Sequence, residues 1–179
     1  MCRMISSVRA LTQHSLTLNI DPSAYKPERC PQCGVAGLWA HGVYYRKGDR
    51  SVASANQSVL IPIPRFCCPH CGATCSCLPA CLSPRRWYPW SAQELALLLA
   101  LAGTPLTCIR KWVSASVDTI RRWRAWLAER TGTFEFHLRS VFKNLGHHDR
   151  TDAFWLDVLR KPGLSKAMDA VCHQRVVVP

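Results

Sequence analysis

Four cysteines stand in two matching pieces, Cys30-Pro31-Gln32-Cys33-Gly34 and Cys68-Pro69-His70-Cys71-Gly72. In each piece the two-residue gap lets both thiolates point at one cation. Proline sets the turn, and glycine lets backbone N–H groups approach the sulfurs. Two such knuckles complete a tetrahedral thiolate set with no open position, which is the pattern of a structural Zn2+ site and not of a catalytic one. A metal of this kind stabilises a small domain that has little core of its own. The distance between the knuckles exceeds the roughly 15–20 residues of the compact pattern, which fits a long hairpin between them. The spacing therefore predicts one structural Zn2+, held by Cys30, Cys33, Cys68 and Cys71.

The chain has 11 cysteines. The number is odd, and nothing at the N-terminus reads as a secretory signal, so a reducing cytosol with metal-bound thiolates is expected. Cys67 is out of register for the second knuckle. Cys75, Cys77 and Cys81 follow it closely and read either as ligands of a second metal or as small, partly buried thiols. Cys108 reads as core. Cys172-His173 with His147-His148 is a further candidate metal pair.

The second chemistry is electrostatic. The formal charge is +12, with a sequence pI near 9.5, the footprint of a nucleic-acid binder. Residues 1–81 hold 8 basic and 3 acidic side chains, the shorter stretch 82–131 also 8 and 3, and residues 132–179 hold 7 and 5. The middle segment is the most densely basic. No membrane span is expected, because the longest apolar run, Leu95 to Ala102, is far short of the ~20 residues a bilayer needs. A cytoplasmic, nucleoid-associated location follows from these readings.

These residues need elements to carry them. Residues 14–20 alternate and predict an N-terminal strand. Leu38 to Arg46 and Ser58 to Phe66 predict two more strands, with turn residues at Lys47 to Arg50. Pro79, Pro84 and Pro89 punctuate a connector over residues 78–90. Ser91-Ala-Gln-Glu94 has the form of a capping box and opens a predicted helix to Ala102. Thr104 and Pro105 open a second helix to Val113. Ser116 caps a third, Val117 to Arg130, closed by Gly132. Further helices are predicted over Phe134 to Asn144, Asp152 to Arg160 and Ser165 to His173.

The helices at 105–113 and 117–130 have the spacing of a helix-turn-helix, whose second helix lies in the major groove of DNA. Val117, Ile120, Trp123 and Leu127 share one face by helical spacing. Ser116, Asp118, Thr119, Arg121 and Arg122 fall mostly on the other. Arginine can pair with guanine and threonine can touch a thymine methyl. Arg110, Lys111 and Arg124 are placed for phosphates, as are Arg85 and Arg86 in the connector. Trp112, Trp123 and Trp126 read as core. The solvated basic face of a plain helical bundle is the bland alternative.

The order of motifs is knuckle, His41-Gly42-Val43-Tyr44, Ile63-Pro64-Arg65-Phe66, second knuckle, Leu78-Pro79, Pro84-Arg85-Arg86-Trp87 and helix-turn-helix. It resembles the zinc-ribbon and helix-turn-helix proteins found with bacterial insertion sequences and transposons, over about residues 14–130. The resemblance implies recognition of transposon DNA, with the metal ligands and the DNA-reading helix on the residues named above. Transposases of this kind also carry a domain with three catalytic carboxylates. Only 47 residues follow Gly132, too few for such a fold, and Asp149, Asp152 and Asp157 read as ordinary helix-start acids. No enzyme is expected.

The expected fold class is α+β: a zinc-ribbon β domain over residues 1–81 with its N-terminal strand, a connector at 82–90, an all-α helix-turn-helix domain at 91–131, and C-terminal helices at 132–179. The expected function is site-specific binding of double-stranded DNA as an accessory or targeting factor in transposition. The alternatives are a transcriptional regulator and an interaction adaptor for a transposase or ATPase. Expected partners are duplex DNA, a transposase or other mobile-element protein, and a second copy of the chain.

Overall fold

The computed structural model describes residues 2–47, 60–84 and 88–174. The chain is α+β, with a four-stranded sheet and several helices. Two compact units divide between residues 87 and 88. The expected turn at residues 48–50 and the connector residues Arg85, Arg86 and Trp87 lie outside the described residues.

In the first unit, β1 (Cys2–Ile5), β2 (Trp39–Lys47), β3 (Leu60–Cys67) and β4 (Thr74–Pro79) form one sheet in the order β1-β4-β3-β2. β2, β3 and β4 pair antiparallel, and β1 lies parallel to β4. The β3–β4 ladder covers only Arg65 to Cys67. Beyond it stand Pro64 and Pro62, which have no N–H to continue the pairing. The carbonyl of Pro62 is taken instead by His14 Nε2, which donates at 2.8 Å.

Side chains alternate across a strand, so each face of the sheet has its own core. Phe66, Cys75 and Cys77 pack with Val8, Tyr25, Leu38, Cys30 and Cys68 on one face. Ile61, Ile63 and Leu78 pack with Cys2, Tyr44 and Leu82 on the other.

Residues 14–20, expected as a strand, belong instead to α1 (Leu11–Ile20). The four-residue spacing of His14 and Leu18 turns both toward the first core, and tertiary packing overrides the β-branched alternation. The hydroxyls that made the segment look extended are satisfied along the helix, Ser15 on the Leu11 carbonyl and Thr17 on the Gln13 carbonyl.

The second unit holds α2 (Trp90–Leu101), α3 (Leu106–Ile109), α4 (Val117–Val141), α5 (Thr151–Arg160) and α6 (Leu164–His173). Three expectations are corrected here. The helix expected from Ser91 starts at Trp90 behind Pro89, and no side-chain cap forms, so Ser91 and Glu94 do not make a capping box. Likewise Thr104 does not cap the next helix. Its N-cap is Pro105, and α3 is a single turn between the left-handed Gly103 and the corner at Ser114 to Ser116. Finally, Gly132 does not end a helix. The inward positions Ile120, Trp123, Leu127, Thr131, Phe134 and Leu138 keep their three-and-four spacing straight through it, and burial on both sides outweighs the modest helix cost of one glycine.

Around this long helix the core is aromatic. Trp126, Phe134, Trp155 and Phe154 meet edge to face in series. Trp155 Nε1 donates to Thr131 Oγ1 at 3.0 Å, and that hydroxyl donates to the Leu127 carbonyl at 2.7 Å, which accounts for a buried threonine. Trp112, expected in the core, is 74% exposed: Ile109 and Val113 take the inward positions on either side of it. Among the described residues no helix is long and apolar enough to cross a membrane.

Candidate metal centre

Each knuckle is a tight turn closed by the backbone. The Gly34 N–H donates to the Cys30 carbonyl at 2.8 Å and the Cys30 N–H to the Val35 carbonyl at 2.8 Å. The second knuckle repeats both bonds, Gly72 to Cys68 at 3.0 Å and Cys68 to Ala73 at 3.0 Å. Gly34 and Gly72 sit at φ of 76° and 68°, where a side chain is strained although nothing crowds it. Glycine is therefore demanded here by backbone conformation alone.

This repetition brings four sulfurs together. Cys30 Sγ lies 3.7 Å from Cys71 Sγ, and Cys33 Sγ lies 3.6 Å from Cys68 Sγ. All four lie within 4.8 Å of one another. A tetrahedral ion with metal–sulfur bonds of about 2.3 Å sets its sulfurs about 3.8 Å apart. The residues fit such a cation. Cys30 and Cys68 are buried against the first core, while Cys33 and Cys71 face solvent.

Without a cation the thiols of the set do not ionise together. The backbone N–H groups of Cys33 and Gln32, with the neighbouring thiols, hold Cys30 down to about 6 against its desolvation. At Cys71 the Ala73 N–H draws the thiol down, but desolvation and the thiols of Cys33, Cys30 and Cys68 push it up to about 12. Each thiolate formed opposes ionisation of the next, and a cation that binds all four as thiolates displaces the remaining protons, so metal uptake releases protons.

The other cysteines stay apart. Cys67 turns its thiol to the carbonyls of Cys68 and Gly72. Cys75 and Cys77 are buried in the first core, and the hydrogen bond with Cys75, together with burial, raises the Cys77 thiol. Among the described residues no other group of three or more ligand side chains converges. The second-metal readings at Cys75, Cys77 and Cys81, and at Cys172-His173 with His147-His148, therefore lack a gathered site. His147 Nδ1 takes a bond from Arg139 at 2.6 Å. The three late acids are not gathered either. Asp152 pairs with Arg150. Asp157 is bound by Lys161 at 2.8 Å, His148 at 3.1 Å and the Gly146 N–H. Desolvation would raise Asp157, but these three donors outweigh it and hold the carboxyl at about 2.

In the second unit, Ser116 caps α4 as expected, its hydroxyl accepting the Thr119 N–H at 3.2 Å. Ile120, Trp123 and Leu127 face inward, while Asp118, Arg121, Arg122 and Arg124 are exposed. Arg121 pairs with Asp118 at 2.8 Å, and Arg122 donates to the Thr119 hydroxyl at 3.2 Å. Both guanidiniums thus have partners along the first turns of the helix. Arg121 and Arg124 also border a cleft of about 320 Å³ floored by Leu101, Leu127 and Trp155. Arg110 and Lys111 are exposed just after α3.

No curated protein and no solved structure matches the chain. A family profile does match, over residues 30–123, from the first knuckle cysteine to Trp123 in α4. That match spans more than half of the sequence, and the chain belongs to the family described as domain of unknown function (DUF6431).

Proposed function

We propose that this is a zinc-ribbon and helix-turn-helix protein that binds a specific duplex DNA site, as an accessory or targeting factor in transposition. Zn2+ on Cys30, Cys33, Cys68 and Cys71 holds the ribbon together, since a closed tetrathiolate leaves no position for substrate. The role is binding and not catalysis. The observation that carries the DNA reading is the start of α4. Its cap is satisfied, its apolar side is buried, and Arg121 and Arg122 are exposed, with the half-buried Thr119 hydroxyl bonded to Arg122. The first turns of a recognition helix are what meet base edges in the major groove, and the planar guanidinium fork loses less freedom per hydrogen bond to guanine. Arg110, Lys111 and Arg124 flank this surface for the phosphate backbone.

The test is a competition assay on zinc-loaded protein. Arg121→Ala and Arg122→Ala should weaken the specific duplex ~10-fold or more and non-specific duplex far less. Equal losses on both duplexes overturn the base-reading role.

A further inference from the structure

The sequence around the knuckles is basic. Between Glu28 and Glu94 the sequence holds seven basic residues and a single acid, Asp49. A zinc tetrathiolate carries a net double negative charge, and the segment stays positive after it is counted.

One sheet face carries an exposed aromatic ring near the knuckles. Trp39 pairs in register with Cys67, and Cys67 with Thr74. Arg65, two residues along β3 on the same face, pairs with Ser76. Next to Trp39 a bulge between Ala40 and Val43, with Gly42 at φ 76°, sets His41 out to solvent. Trp39 is 61% exposed, and Arg65 has no carboxylate partner among the described residues. The opposite face at this end carries Phe66 and Cys75 in the first core. An aromatic ring in solvent with a guanidinium one row away makes a stacking platform beside a positive charge. Every base has a flat face that such a ring can take, and such binding is tolerant of sequence.

We infer that the Trp39–His41–Arg65 face of the ribbon binds single-stranded DNA, with an unpaired base stacked on Trp39 and the backbone phosphate on Arg65. This site is separate from the duplex-reading helix. The choice of DNA over RNA rests on the duplex-DNA reading proposed above, because the strand offered beside a bound duplex is DNA; the stacking surface does not.

The test is fluorescence anisotropy of the full zinc-loaded chain with oligothymidylate of about 12 nucleotides, and with oligouridylate of equal length. The oligothymidylate should bind with a steep salt dependence and more tightly than the oligouridylate. Trp39→Ala should weaken it about tenfold or more, Trp39→Phe should keep most of it, and Arg65→Ala should flatten the salt slope. Zinc content and melting curves show that each variant is folded. Duplex binding should be unchanged in the Trp39 variants, whereas Arg121→Ala should lose the specific duplex and keep the oligothymidylate. Failure of the helix reading would therefore appear on duplex alone. No binding of oligothymidylate by the unaltered chain, equal binding by folded Trp39→Ala, or a tighter oligouridylate complex would overturn the inference.

Discussion

The Glu94 carboxylate of α2 accepts the backbone N–H of Leu164 at 2.7 Å, across a separation of 70 residues. Leu164 opens α6, and the residue before it, Gly163, sits at φ 81° against the same carboxylate. A side chain that could have capped its own helix caps a distant one instead. It satisfies an orphan donor and places negative charge at the positive end of α6.

Glu94→Ala should therefore destabilise the helical unit by about 1–2 kcal/mol, the usual cost of losing a cap. Urea unfolding followed by circular dichroism measures it. A change below about 0.3 kcal/mol would contradict the capping role.

Gly132 supplies the opposite sign. It lies within α4 on an exposed stretch, and an added Cβ would meet nothing within 4 Å. Gly132→Ala should stabilise by about 0.5–1 kcal/mol. A loss of stability would mean that the helix does not run through this residue.

Those two residues show what was legible in the sequence and what was not. The knuckles could be read because each is local: spacing, proline and glycine all lie within five residues. The Ser116 cap could be read for the same reason. Glu94 misled because the sequence offered it a partner three residues away, while the fold offered a better one seventy residues away. Gly132 and the segment 14–20 misled because burial set by distant neighbours overrode local preference. β1 was missed because its pairing with β4 is parallel and long-range, and four residues carry no pattern. Trp112 was misplaced because a one-turn α3 leaves it no inward position.

His14 gives a pH-dependent prediction. It is buried between the Tyr25 hydroxyl and the Pro62 carbonyl. Burial lowers its pKa, with the Pro62 bond acting weakly the other way. The folded state thus binds its proton less readily than the unfolded chain does. Its contribution to stability should be complete above about pH 6.5 and should fall away as pH drops through the lowered folded value. The difference in urea midpoint between the unaltered chain and His14→Asn should shrink from pH 7 to pH 5. A difference that stays constant would contradict a buried neutral imidazole.

For the metal, the chain as purified should hold one zinc. Cys33→Ser should release it and abolish the ribbon's cooperative transition, because metal binding is folding energy in so small a unit. An unchanged melting curve with zinc still bound would refute the four-cysteine site.

The most direct measurement is the affinity of the zinc-loaded chain for duplex DNA from its own gene borders, set against scrambled duplex of equal length across a salt series. Binding to both should weaken with salt through counterion release. A preference of ~10³ or more for a border duplex should persist at physiological salt and collapse in Arg121→Ala. Equal binding of the two duplexes, or binding of neither, would contradict it.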